Sequence, residues 1–347
     1  NPENDLWREL LQFTYEANIK RYLAKKGHEV DEDTINCIAG SFLQANEYYK
    51  AAKEDNLQIS PLLLYYGSTN LLYGMVNLLS GSINKISNHG MKIFIPDQMN
   101  FIADTKIRFL SPVDGGVHVV ARAIGVTSDL TGFGDWSLRE FLDSIAEIQY
   151  DFTQCYDVQT GCTIMLDIFN TPDGKAEKIY FSEENKDHLI ELLKKVEGFE
   201  KSYLRFTSAT DFKTGKEYFV LRHKLTGEDI SKQSYSGQPY LQAGHIKNSK
   251  LITIPTLLNI YISLFALSSL CRYFPERWSP FVLKDITGEK LLIEKFMFYA
   301  RRLVPNYVLN NLLENTIQYS SSRYTATDTV KLVGEHQVQE MIERKVQ

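Results

Sequence analysis

A chain of 347 residues exceeds the length over which one hydrophobic core usually keeps growing, so more than one packed subregion is expected. With 44% apolar and 23% charged residues it lies far from the composition of disordered chains. A net charge of −5 argues against a surface coated in positive potential for unspecific nucleic-acid binding. In chain order, Asn4 can cap a helix in which Leu6, Leu10, Phe13 and Ala17 follow the three-and-four spacing, with Gly27 as its stop. Asp33 can cap a second, where Ile35, Ile38, Phe42, Ala45, Tyr49 and Ala52 keep that spacing without a miss. Ser60-Pro61 supplies a cap and a proline at the first helical position. The segment that follows, Leu62 to Leu79, is apolar nearly all round and predicts a central, buried helix.

Past the Gly/Ser/Asn-rich stretch 80–90 the period falls to two. Lys92 to Ile95, Thr105 to Leu110 and Val117 to Ile124 read as strands, with Pro112, Gly115 and Gly116 as a hairpin loop. Ser137 and Glu140 have capping-box spacing ahead of Leu138, Phe141, Ile145, Ile148 and Phe152, which predicts a helix. Further strands are expected at Cys162 to Phe169, Glu177 to Phe181, Ser202 to Thr207 and Glu217 to Lys224. A helix capped by Ser182 and running to about Val196 interrupts them. From Leu251 the pattern is helical again, over Thr256 to Tyr273, Gly288 to Leu303, Asn306 to Gln318 and Thr329 to Arg344, with Pro275, Pro280, Pro305 and a Ser-rich stretch between.

Helices, then strands, then helices make an α+β protein: an N-terminal helical bundle over 1–90, a central antiparallel β-rich region with one or two helices over 91–250, and a C-terminal helical region over 251–347 packing on the N-terminal helices. No internal repeat of fixed period interrupts this order. Residues 1–20 carry Glu3, Asp5, Arg8, Glu9 and Glu16 and so lack the unbroken apolar run of a signal peptide. The greasiest stretch, Leu251 to Leu270, is broken by Pro255 and Asn259 and reads as a buried helix rather than a membrane span. Cys37, Cys155, Cys162 and Cys271 are widely spaced, which favours reduced thiols and a cytoplasmic location.

Two stretches carry a resemblance. The first is Phe42-Leu43-Gln44-Ala45-Asn46-Glu47-Tyr48-Tyr49-Lys50-Ala51-Ala52 with Ser60-Pro61-Leu62-Leu63-Leu64-Tyr65-Tyr66-Gly67 and then Asn88-His89-Gly90. The second is Leu267-Ser268-Ser269-Leu270-Cys271-Arg272-Tyr273-Phe274-Pro275-Glu276-Arg277-Trp278. In order and separation they resemble the YaaC-like family and bracket most of the chain; the resemblance implies a family placement and no particular reaction. A weaker likeness is to the helical HEPN proteins, many of which cleave RNA. Their Arg-x(4–6)-His motif is not reproduced around His89, where Lys85 is the nearest base, while Arg21 and His28 have the spacing but sit in the first helix and its exit.

His89 is the candidate catalytic residue, because an Asn88-His89-Gly90 loop puts a titratable imidazole where the glycine permits unusual backbone and close ligand approach. The plain alternative is that His89 only ties down the loop. Arg272 and Tyr273 could clamp a phosphate or carboxylate with Trp278 as a wall, or Arg272 could simply complement a helix C-terminus with Trp278 in the core. Arg205, Arg222, His223 and Lys224, with His245 and Lys247, form a basic cluster for a polyanion. Tyr203, Phe206, Tyr218 and Tyr240 lie between the charges to stack on bases, although an ordinary solvated strand face looks the same. Residues 201–250 carry nine bases against four acids, which supports a local basic face.

No metal site is expected, since Cys155 and Cys162 have no neighbouring Cys pair and Asp97, Asp104, Asp167 and Asp173 are isolated. No cofactor is expected either, with no P-loop, Gly-x-Gly-x-x-Gly, Gly-x-Ser-x-Gly or His-Glu-x-x-His. The leading expectation is a non-catalytic binding or regulatory protein associated with nucleic acid or another polyanion, with a role in bacterial stress or anti-phage defence. The alternatives are a HEPN-like ribonuclease using His89, and a structural subunit that engages a protein partner or a second copy of itself.

Overall fold

The computed structural model describes residues 2–313 except 53–55, 112, 113, 127, 159, 160, 172, 173, 205, 225 and 226. Its backbone divides into two units, one formed by residues up to 141 together with those from 255 onward, the other by residues 142–254.

In the first unit, the helix expected from Leu6 to Ala17 is two helices, α1 (Pro2–Leu10) and α2 (Glu16–Lys25), joined by a tighter turn over Leu11–Thr14. The break falls at Tyr15, whose backbone is extended (φ −99°, ψ 123°), and Asn4 lies inside α1 rather than at its cap. Helix α3 (Glu32–Ala51) is capped by Asp31, not Asp33: the Asp31 carboxylate accepts the Thr34 N–H at 2.8 Å, satisfying one of the donors a helix start leaves over. Helix α4 (Ser60–Ser80) has Ser60 as its first residue rather than its cap, with the hydroxyl donating to the Asn56 carbonyl at 2.7 Å. The two long helices approach closely because glycines face aromatic rings. A Cβ added at Gly67 would lie 2.8 Å from the Tyr49 ring, and one at Gly74 would lie 2.8 Å from that of Phe42.

Strands β1 (Met91–Phe94) and β2 (Lys106–Phe109) pair antiparallel, Met91 opposite Phe109. The expected third strand at Val117 is instead a helix, α5 (Gly116–Ala123), and Gly115 and Gly116 open it rather than forming a hairpin. β-branched residues favour strands only where neighbours present a pleated surface. Here the first N–H groups of α5 find other acceptors: Gly116 donates to the Asn88 carbonyl at 2.8 Å and Val117 to that of His89 at 3.1 Å. The third strand is β3 (Asp135–Ser137), next to β2. The capping box forms as its spacing predicts, with Ser137 N–H donating to the Glu140 carboxylate at 2.7 Å and Glu140 N–H reaching the Ser137 hydroxyl at 3.4 Å. Its helix, α6 (Leu138–Leu142), does not run on to Phe152: the backbone is extended at Ile145, and a separate α7 (Gln149–Tyr156) follows in the second unit.

The second unit is built of short antiparallel strands. They are β4 (Thr163–Met165), β5 (Asp167–Thr171) and β6 (Gly174–Phe181), then, after helices α8 (Lys186–Leu193) and α9 (Phe199–Ser202), β7 (Thr207–Thr210) and β8 (Glu217–Arg222). There follow β9 (Lys232–Gln233), β10 (Pro239–Gln242), β11 (His245–Lys247) and β12 (Lys250–Ile252). They form one sheet in the order β5-β6-β8-β7, a second in the order β4-β10-β9, and the β11-β12 hairpin. The strand expected over Ser202 to Thr207 is a helical turn followed by β7. Gly198 at φ +78° turns the chain, and its carbonyl accepts the Lys201 and Ser202 N–H groups. The core of this unit gathers Ile164, Leu166, Ile179, Leu193, Phe219 and Leu241 between the sheets and α8.

The chain then returns to the first unit through α10 (Thr256–Tyr273), α11 (Pro275–Lys284) and α12 (Glu289–Leu312), with α10 and α12 packed on α4 and α12 on α1. Helix α11 forms where the sequence suggested only proline breaks; Pro275 occupies its first turn, where a missing N–H costs nothing. Pro305 does not separate two helices but lies buried inside α12, where the apolar neighbours Val304, Val308 and Leu309 hold the helix together across it. The buried Glu289 carboxylate accepts the Ile102 N–H at 2.6 Å and the Ala103 N–H at 2.8 Å, joining α12 to the turn ahead of β2. The expected helix over 329–344, and the end of that over 306–318, lie outside the described residues. No single described helix is long and apolar enough to cross a membrane. Helices α10 and α11 reach that composition only as a pair bent by 104°, and α10 is buried from Thr256 to Leu270.

Candidate functional site

The loop Asn88-His89-Gly90 is locked between β1 and α5. The Asn88 side-chain oxygen accepts the Gly90 N–H at 2.7 Å, and the Asn88 and His89 carbonyls cap α5 as described. Gly90 sits at φ +74°, and a Cβ at Gly115 would fall 2.3 Å from Gly90 Cα and 2.6 Å from the Asn88 oxygen, so only glycine fits at this crossing. The imidazole of His89 is thereby aimed at α4, where its Nδ1 shares a 2.7 Å hydrogen bond with the Tyr65 hydroxyl.

Tyr65 is buried in an aromatic cluster. Its ring stacks on Tyr261 of α10 at 5.5 Å between centroids, meets Phe265 edge-on at 5.6 Å and faces His89 at 5.4 Å. The Tyr261 hydroxyl lies 3.3 Å from Thr69 Oγ1, which itself donates to the Tyr65 carbonyl at 2.9 Å. One residue on, Tyr66 stacks on Tyr48 at 6.0 Å and its hydroxyl accepts from the Arg272 guanidinium at 2.5 Å. Arg272 closes the last turn of α10 with its guanidinium 4.9 Å from the centre of the Tyr273 ring. Tyr65, Tyr66, His89, Arg272 and Tyr273 line a cleft of about 280 Å³, completed by Met91, Lys92 and Ile93 of β1 and by Phe265, Ser268, Ser269 and Phe274.

The electrostatics follow from this arrangement. Burial first, and the Arg272 charge second, push the His89 pKa below the ordinary histidine value, so its imidazole is neutral at pH 7. Burial also holds the Tyr65 hydroxyl far above the ordinary tyrosine range, so it stays protonated. None of the described residues lining the cleft carries a carboxylate.

Of the residues singled out in the sequence, the fold brings together His89, Arg272 and Tyr273. Asn88 is exposed and positions the loop through its backbone and side-chain oxygens. Trp278 lies on α11 at 1% exposure, 5.2 Å from the Phe281 ring, away from the cleft lining. The basic cluster belongs to the second unit. Arg222 is exposed at the end of β8; the His223 ring lies 3.4 Å from the buried Glu177 carboxylate and 4.6 Å from the Tyr203 ring; the Lys224 ammonium bonds to the Glu200 carbonyl. Arg205 lies outside the described residues. Tyr203 and Tyr240 are core residues, and Phe206 and Tyr218 are half-buried. Among the described residues no group of three or more His, Cys, Asp or Glu could hold a metal ion.

Sequence reasoning missed Tyr65, Tyr66, Lys92, Tyr261, Ser268 and Ser269. The available signal was the Tyr65-Tyr66 pair inside a helix otherwise rich in leucine, since buried hydroxyls require partners and so mark a polar network.

Fold and cleft define an α+β protein with an aromatic, cationic cleft among α4, α10 and the loop entering β1. The chain belongs to the YaaC-like protein family, whose pattern it matches over residues 8–312. No curated protein and no solved structure matches it.

Proposed function

We propose that this chain is a binding protein whose cleft holds the phosphate of a nucleotide, either free or at the end of a nucleic-acid strand. The observation that carries this reading is the meeting of Arg272, Lys92 and neutral His89 in one cleft with no carboxylate among its described lining residues. An anion is the ligand such a site stabilises, and a guanidinium matches the fork of phosphate oxygens. Tyr66, Tyr273 and Phe274 supply aromatic faces for a base, while Ser268 and Ser269 supply hydroxyl donors. A cavity of about 280 Å³ sits at the lower end of ligand-pocket volumes, which favours one nucleotide unit over a longer segment. Binding is favoured over turnover because the described lining residues include no carboxyl and no second imidazole to protonate a leaving oxygen.

The test is incubation of the protein with adenosine 5′-monophosphate and with 5′-phosphorylated RNA and DNA strands, read for binding and for cleavage, with and without added divalent metal. Binding without products is expected, and Arg272→Ala should weaken it about tenfold or more, the scale of a charge-assisted hydrogen bond. Binding of the monophosphate alone would point to a free nucleotide, and binding of the strands alone to a strand end. Cleavage that disappears in His89→Ala would replace this reading with a phosphodiester-cleaving enzyme, and unchanged binding in Arg272→Ala would refute the cleft as the site.

A further inference from the structure

We infer that the cleft is specific for a terminal phosphomonoester bound as its dianion, with His89 taking up a proton as the ligand enters; this rests on reading the cleft as a nucleotide phosphate site. The His89 ring is held on two sides. Its Nδ1 lies 2.7 Å from the Tyr65 hydroxyl oxygen, and the ring packs against Phe265 at 5.6 Å between centroids. A hydroxyl donates to a bare ring nitrogen and accepts from a protonated one. The contact with Tyr65 therefore suits either charge state, and charging the ring requires no rearrangement on that side. With Nδ1 so engaged, Nε2 is the nitrogen through which His89 can meet a ligand in the cleft it lines, and in an imidazolium that nitrogen is a donor.

The cleft by itself opposes that charge. Arg272 of α10 and Lys92 of β1 are cations of the same lining. The other titratable groups around the ring are hydroxyls: Tyr65 and Tyr66 on α4, with Tyr48 of α3 behind Tyr66, and Tyr261 and Tyr273 on α10. On α5, His118 packs against Gly90 with its Nε2 2.9 Å from the Leu110 carbonyl. No carboxylate among the described lining residues offsets these charges, so the negative charge that favours an imidazolium has to come with the ligand.

The class of phosphate decides whether it does. A terminal phosphomonoester carries a second negative charge above about pH 6, whereas an internal phosphodiester carries a single one. Arg272 and Lys92 are exposed and share their charge with solvent, while His89 is half-buried. A single charge is met by the exposed cations and leaves the imidazole neutral. The second charge of a monoester sets an anionic oxygen against the half-buried ring, where a proton on His89 turns repulsion into a charge-assisted hydrogen bond. By linkage, the ligand that raises the His89 pKa binds more tightly as the pH falls and loses that advantage as the pH rises through the raised value.

The experiment compares adenosine 5′-monophosphate with its methyl ester, adenosine 5′-(methyl phosphate), at about pH 7, where the monoester is mostly the dianion. Binding is read by calorimetry in two buffers of different ionisation enthalpy, for the wild type and for His89→Gln. The wild type should bind the monoester about tenfold more tightly, the scale of one hydrogen bond to a charged group, and take up a larger fraction of a proton with it. Glutamine donates an N–H but does not titrate, so in His89→Gln the uptake should vanish and the preference shrink to about twofold. Nitrogen NMR of the wild type, independent of any variant's folding, should show both His89 ring nitrogens protonated with the monoester bound and one unprotonated without it. No preference for the monoester, a preference or uptake kept in His89→Gln, or a ring that stays neutral would each overturn the inference and leave the phosphate site standing. If the monophosphate did not bind at all, the phosphate reading would fall and this inference with it.

Discussion

Replacing Gly115 by alanine tests whether the loop bearing His89 is held by contact between backbones. The new Cβ would lie 2.3 Å from Gly90 Cα and 2.4 Å from Gly90 N, both backbone atoms that cannot rotate aside, and 2.6 Å from the Asn88 oxygen that accepts the Gly90 N–H. Overpacking costs about 1–3 kcal/mol, and a backbone obstacle places this substitution at the upper end. For a unit of this size, 3 kcal/mol lowers the melting temperature by about 6–12 °C. Because Gly116 and Val117 donate to the Asn88 and His89 carbonyls, the same displacement should unseat the start of α5 and weaken the nucleotide binding proposed for the cleft. The control is Gly40→Ala in the interior of α3, where no atom lies within 4 Å of the added Cβ. There alanine should stabilise by about 1 kcal/mol through its better helix propensity, raising the melting temperature by about 2–4 °C. Differential scanning fluorimetry of the three proteins decides it. A Gly115→Ala protein that melts with the wild type and binds as tightly would refute the close approach of the two glycines.

Other expectations concern the second unit. Glu147 accepts the Tyr235 N–H at 2.7 Å through one oxygen, while the other is buried without a partner among the described residues, and burial raises its pKa. A carboxyl with a raised folded pKa favours the fold at pH below its unfolded value and loses that contribution as pH rises through the folded one. Glu147→Gln, which resembles the protonated form, should therefore gain on the wild type in urea midpoint as the pH rises above the unfolded glutamate value of about 4.3; a difference constant with pH would show that Glu147 does not titrate in the folded protein. Tyr203→Phe removes the hydroxyl that donates to the buried Glu177 carboxylate at 2.7 Å and should cost about 1–3 kcal/mol by urea unfolding. A loss below about 0.5 kcal/mol would mean that His223 alone satisfies the carboxylate.

The sequence by itself determined the elements whose cause is local. Helix α3 follows from an apolar period of 3.6 that no strand could use, α4 from a proline in its first turn ahead of a segment apolar nearly all round, α10 from an apolar run ahead of a proline, and the start of α6 from two side chains three residues apart that satisfy each other's backbone. It also marked His89, Arg272 and Tyr273 as chemistry-bearing, because a histidine beside a glycine and a cation at a helix end are recognisable without a fold. Tertiary structure decided what depends on partners distant in sequence. Val117 to Ala123 is helical because two loop carbonyls receive its first donors, and Pro305 stays within α12 because apolar packing outweighs one missing hydrogen bond. The cleft belongs to the same class. His89 meets Arg272 only because α10 packs on α4, and His89 Nδ1 finds the Tyr65 hydroxyl only once the loop and α4 lie side by side, 24 residues apart in the chain.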